Sequence, residues 1–203
     1  MTFVLNYATI LFAEKGDTME DIDIKLGKEK LIQTIKRVIN NKNFRTIENS
    51  ILDKNDAFLS YLFAKEIEGA DIPSHLNVVL NSEDYQTIYT FAMEIKCDKK
   101  GLQNKITKHG DARWIYYLAW AENIDFESLQ EALFNTGNID YIFNFGLNFD
   151  NADKQKITEM VIASRRIDLI AQLGRYGVNF YQRERIISEI QEENIRSLRR
   201  NNK

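Results

Sequence analysis

Turn-forming punctuation is scarce in this chain, which has one proline, Pro73, and nine glycines among 203 residues. An all-β sandwich needs a turn signal roughly every 8–12 residues, so this scarcity argues against that class. Cysteine is limited to Cys97, so no internal disulfide can form and nothing points to a secreted scaffold. The two histidines, His75 and His109, lack a partner three or four residues further along the chain that would complete a metal site. With a single thiol the zinc spacings are missing as well, and neither Gly-rich phosphate-loop pattern occurs. No metal or other cofactor is therefore expected.

Long apolar runs are also missing. Met1–Gly16 holds Phe3, Val4, Leu5, Ile10, Leu11, Phe12 and Ala13. It falls short of the roughly 20 residues of a membrane span, and it has neither the basic start nor the cleavage site of a signal peptide. The expectation is a buried N-terminal helix or strand, a cytoplasmic location and no membrane partner.

What is present is a folded composition, 44% apolar and 28% charged, with enough apolar surface to close a core. The net charge is −3, unevenly spread: residues 51–158 carry 10 Lys/Arg against 17 Asp/Glu, and residues 159–203 carry 9 against 6. An acidic body is followed by a basic end.

The strongest pattern is a repeat. Four stretches align almost without gaps, Ile51–Asn77, Val78–Asn104, Lys105–Glu131 and Ala132–Thr158, and a weaker fifth begins at Glu159. Each carries a large apolar residue followed by a small one: Phe63-Ala64, Phe91-Ala92, Leu118-Ala119, Phe145-Gly146 and Leu173-Gly174, at intervals of 28, 27, 27 and 28. Seven residues before the marker stand Asp56, Asp84, Asp111 and Asn138, whose side-chain oxygens suit the free N–H groups of a helix start. Gly110 and Gly137 precede two of these and free the chain to turn. Three residues before the marker come Ser60, Ile88, Ile115, Ile142 and Ile170, giving a buried stripe at helical spacing.

This spacing predicts a first helix of roughly 11 residues per unit. The small residue of the marker lets a neighbouring helix approach closely. A shorter amphipathic helix follows, marked by Leu76, Val79 and Leu80 in the first unit and by Leu129, Ala132 and Leu133 in the third; Asp71 and Pro73 open the first of these. Helices this short are marginal alone, so each pair must bury its apolar face on the next. The expected fold is all-α, a short α-solenoid of stacked two-helix repeats over residues 51–180. A degenerate, mostly helical cap is expected over residues 1–50, where Leu31, Ile35, Val38 and Ile39 trace a stripe. Residues 181–203 are expected to form a capping helix with a basic tail, its apolar face traced by Ile187, Ile190, Ile195 and Leu198.

The segments FAKEIEGADIPSHL and IYYLAWAENIDFESLQEALFNTGN resemble short HEAT-like helical repeats of uncharacterised bacterial and phage proteins. The resemblance concerns the framework of roughly residues 51–180. It implies a right-handed solenoid and brings no catalytic residues to transfer. It also suggests a setting, regulation or inhibition of a bacterial or phage complex.

No motif points to chemistry. The string His109-Gly110-Asp111-Ala112-Arg113 could be drawn as a catalytic loop, but the repeat accounts for Asp111 as a cap and Gly110 as its turn. Cys97 has no evident activating neighbour and reads as a structural thiol. The functional expectation is a non-enzymatic protein-binding repeat, and the residues for it are those that break the pattern. The third unit places Tyr117 where other copies have Leu62, Thr90, Asn144 and Gln172, and Trp120 where they have Lys65, Met93, Leu147 and Arg175, and adds Trp114 four residues before its marker. Clustered Trp and Tyr are typical of binding hot spots; they also fill cores. The alternative is nucleic-acid binding by the Arg-rich end, through Arg183, Arg185, Arg196, Arg199 and Arg200, whose forks suit phosphate. Interleaved Glu184, Glu189, Glu192 and Glu193 could instead make that end a solvated cap.

Overall fold

The structure, a computed structural model, describes residues 19–201, with side chains from 25 to 199. The apolar run of Met1–Gly16 and the side chain of Arg200 lie outside the described residues. Among the described residues there are helices and no strand. They are α1 (Met19–Val38), α2 (Phe44–Leu52), α3 (Ala57–Glu66), α4 (Ile72–Asn81), α5 (Tyr85–Glu94), α6 (Lys100–His109), α7 (Ala112–Leu118), α8 (Phe126–Asn135), α9 (Ile139–Asn148), α10 (Lys154–Ala163), α11 (Ile167–Gln172) and α12 (Phe180–Asn201), with a 3-10 turn at Leu173–Tyr176. The chain forms two compact units, Met1–Leu102 and Gln103–Lys203, divided within α6.

The first helix of each unit starts where the Asp/Asn series places it. The backbone N–H groups of Leu59, Thr87, Arg113 and Tyr141 donate to the side chains of Asp56, Asp84, Asp111 and Asn138. In the fifth copy Arg166 holds that position and makes no capping bond. The residues just ahead of four of these starts are left-handed: Asn55, Gly110, Gly137 and Arg165. Removing one such cap costs about 1 kcal/mol, so together the caps fix where the helices begin.

A second series is just as regular. Asp71, Asp98, Asp125, Asp153 and Asn179 accept N–H bonds from Ser74, Lys100, Ser128, Lys156 and Gln182, and so open the second helices from α4 onward. In this light α12 is the second helix of the fifth unit as well as the end of the chain. Within each unit, some second helices are also tied to the next, α2 to α4, α6 to α8 and α8 to α10. Glu48, Gln103 and Gln130 each stand five residues past a helix start. Their side-chain oxygens accept the backbone N–H groups of Asp71, Asp125 and Asp153 at 2.7, 2.9 and 2.7 Å. Each bond satisfies a donor that the next helix leaves free at its start.

The marker residues form the core. Phe63, Phe91, Leu118, Phe145 and Leu173 are all fully buried, as are Ile88, Ile115, Ile142 and Ile170 three positions earlier. Fully burying each such side chain is worth about 1.5–3 kcal/mol, which outweighs the weak tendency of a ten-residue helix to form alone. In the first unit α1 contributes Ile32 and Ile35, and α1 and α2 both pack on α3. Over its described part, the region expected to be a mostly helical cap holds two helices that pack on α3.

Two lengths differ from expectation. The first helices run to 10 residues in α3, α5 and α9, but α7 has 7 and α11 has 6. In α7 the ladder tightens early: the N–H groups of Ala119, Trp120 and Ala121 bond back three residues, to Tyr116, Tyr117 and Leu118. Trp120 therefore sits in a turn past the helix end and not within a helix.

The small marker residue is under strong constraint in the fourth copy. A Cβ at Gly146 would lie 2.6 Å from Cε1 and the hydroxyl oxygen of Tyr176, and 2.8 Å from Cδ1 of Ile157. Tyr176 cannot yield freely, because its hydroxyl donates to the Phe143 carbonyl. Gly146→Ala gains about 1 kcal/mol of helix propensity but overpacks the site at a cost of about 1–3 kcal/mol and strains that bond. Denaturant titration should show net destabilisation, and a Tyr176→Leu partner change should make the two effects clearly less than additive. Simple additivity would place the constraint elsewhere.

Candidate aromatic binding site

The third unit begins at Asp111, and its first helix carries Trp114, Tyr116 and Tyr117. Because α7 stops at Leu118, the chain turns there and lifts Trp120 out of the packed layer, leaving it 52% exposed. The indole leans on Phe149, with ring centroids 4.7 Å apart. Phe149 in turn touches Tyr116, Phe126 and Phe145 at 6.2, 5.6 and 4.7 Å. Tyr116 continues the set to Tyr117 and Tyr141 at 5.5 and 5.7 Å, and its hydroxyl accepts from the Asn148 side chain at 3.0 Å. Each ring pair is worth roughly 0.5–1.5 kcal/mol beyond its buried area, so the cluster is a stiff platform.

The expected residues divide. Trp120 is exposed and Tyr117 half-buried, and both belong to the cluster. Trp114 is 3% exposed: its indole packs inward, 6.5 Å from Tyr117 and beneath the Arg113 guanidinium. It supports the platform from below and presents no surface of its own. Half-buried Tyr116, Tyr141 and Phe149 were missed as members. Phe149 lies four residues past its marker, where Ile67 and Ile95 also follow theirs and are buried. That position reads as core until its neighbours are known.

The basic end is largely occupied internally. Arg183 is half-buried against Gly174, donates to the Ala171 carbonyl and stands four residues past the Asn179 cap, where earlier units place Leu102, Leu129 and Ile157. It completes the packing of the last helix pair. Arg185 and Arg196 pair with Glu189 and Glu192 at 3.6 and 3.0 Å along α12. Arg165 reaches Glu193 at 2.7 Å, and Arg166 bridges Asp140 and Asp168. Arg199 is exposed. Exposed pairs of this kind contribute little to stability, but they offset the positive charge a phosphate backbone would need.

Asp111 caps α7, and burial pushes the Cys97 thiol above its ordinary range, away from the reactive thiolate. Among the described residues no group of three or more His, Cys, Asp or Glu could hold a metal ion, and no helix is long and apolar enough to cross a membrane.

The described residues define an all-helical fold whose packing is consistent with a helical repeat. Comparison of the chain with family models, with curated proteins and with solved structures finds no match.

Proposed function

We propose that this chain is a non-enzymatic, protein-binding stack of two-helix, HEAT-like repeats, and that its partner docks on the aromatic platform around Trp120. The observation that carries the reading is a half-exposed indole fixed on Phe149 at 4.7 Å, outside a core that the repeat fills without it. Exposed Trp on a rigid, partly desolvated base is the typical composition of a hot spot, because little side-chain freedom is lost on binding. Regulation or inhibition of a bacterial or phage complex is the setting that the repeat resemblance suggests.

Trp120→Ala should weaken partner binding by about 30-fold or more, a hot-spot loss of roughly 2 kcal/mol, with a thermal midpoint close to that of the wild type. Tyr181→Ala removes a ring that is 83% exposed outside the cluster and should leave binding intact. Partners co-purified from the native cell, then measured by calorimetry against the three proteins, provide the test. Equal losses from both substitutions, or a large drop in the midpoint for Trp120→Ala, would remove the platform from consideration.

Nucleic-acid binding by the Arg-rich end is less well supported, since most of those guanidiniums already have carboxylate or carbonyl partners. It predicts affinity that falls steeply with salt, whereas the aromatic docking predicts little salt dependence.

A further inference from the structure

The first repeat departs from the others inside its core. Where later copies have Ile88, Ile115, Ile142 and Ile170, it has Ser60; where they have Leu102, Leu129 and Ile157, it has His75. Both polar residues are fully buried. Ser60 Oγ and both ring nitrogens of His75 lack a hydrogen-bond partner. The imidazole stacks on Phe63 with centroids 5.0 Å apart, and its Nε2 stands 3.6 Å from Glu48 Oε1, beyond hydrogen-bond reach. A leucine would suit this place better, and the sequence uses one in two other copies.

We propose that His75 is a proton-operated release: protonation of its ring opens the α3–α4 helix pair ahead of the rest of the chain. The surroundings offset an added charge only in part. From α2, Glu48 is already engaged, one oxygen taking the Asp71 N–H and the other the Arg45 guanidinium. Asp71, at the head of His75's own helix, is bound to the N–H and hydroxyl of Ser74. The buried residues of α3 and α5 include no charged group; Tyr61 on α3 titrates only at high pH, and its hydroxyl donates to Glu94. Burial therefore outweighs the attraction of Glu48 and Asp71 and holds the ring below the ordinary histidine range.

The direction follows from proton linkage. An opened His75 takes up its proton near pH 6.5, while the closed ring resists. Above that pH both forms are neutral and the effect is absent. Below it the opening equilibrium grows by up to about tenfold per pH unit, until the closed ring also titrates.

Hydrogen exchange on the full chain at about pH 7.5 and about pH 5.5, corrected for intrinsic rates, tests this. In the wild type, opening across 57–81 should rise relative to 126–148 on acidification, by at most about tenfold. In His75→Leu, which restores the repeat's own residue, and in His75→Gln, which stays polar but cannot titrate here, that rise should vanish. If either variant keeps the wild-type acid response, or if the response is equal in both segments, the proposal is overturned.

Discussion

Phe145→Ala is expected to cost about 3–5 kcal/mol, the largest single loss from the marker series. Phe145 is fully buried and has Phe126 and Phe149 at 5.1 and 4.7 Å, so truncation removes apolar surface and leaves rings facing a void. A unit of this size has a total stability of roughly 5–15 kcal/mol, and each kcal/mol moves the midpoint by about 4–8 °C. Urea titration followed by circular dichroism should show an early transition, with aromatic near-ultraviolet signals lost first because Phe149 also supports Trp120. A cost below about 1 kcal/mol would be a surface-like value, and the marker series could then not be the core of the repeat.

Glu48→Ala should cost about 3 kcal/mol or more, for a different reason. It leaves the Asp71 N–H without an acceptor at a half-buried helix start, worth up to about 3 kcal/mol, and it also empties the space of a residue that is only 1% exposed. Glu48→Gln supplies the comparison. Gln103 and Gln130 perform the same task in other units with an amide oxygen, so the amide should retain the bond to Asp71. What it loses is the Arg45 pair, whose cationic partner is exposed, and exposed charge partners contribute about 1 kcal/mol at most. Thermal melts of the two variants should therefore separate clearly. Equal destabilisation would mean that the charge, and not the acceptor, is what the site requires.

The framework was legible in the sequence because its signals are local. A cap and an apolar residue seven positions on lie within two helical turns, and one chain segment decides both. The second cap series was visible only at Asp71, since Asp98, Asp125, Asp153 and Asn179 lie among other polar residues with no marker to index them. The ties from Glu48, Gln103 and Gln130 were invisible for a stronger reason: donor and acceptor lie 22 or 23 residues apart, so an outward-looking polar side chain could be assigned only in three dimensions. Trp114 and Arg183 misled in opposite senses. An aromatic anomaly turned inward, and a charged residue took the place of Leu102 and Leu129. Trp120 was found because it breaks the pattern, while Tyr116 and Phe149 were missed because they fit it.

One consequence follows from opening most of these helices with their own Asx start. The marker interval varies between 27 and 28, yet from α3 to α10 the hydrogen-bond ladder restarts at an Asp or Asn ahead of each helix. A residue gained or lost in a turn is thus forgotten one cap later, whereas the same change inside a helix would swing every following side chain by about 100°. Such a chain tolerates insertions and deletions between its helices, and length variation across many generations should collect in the few residues before each Asp or Asn.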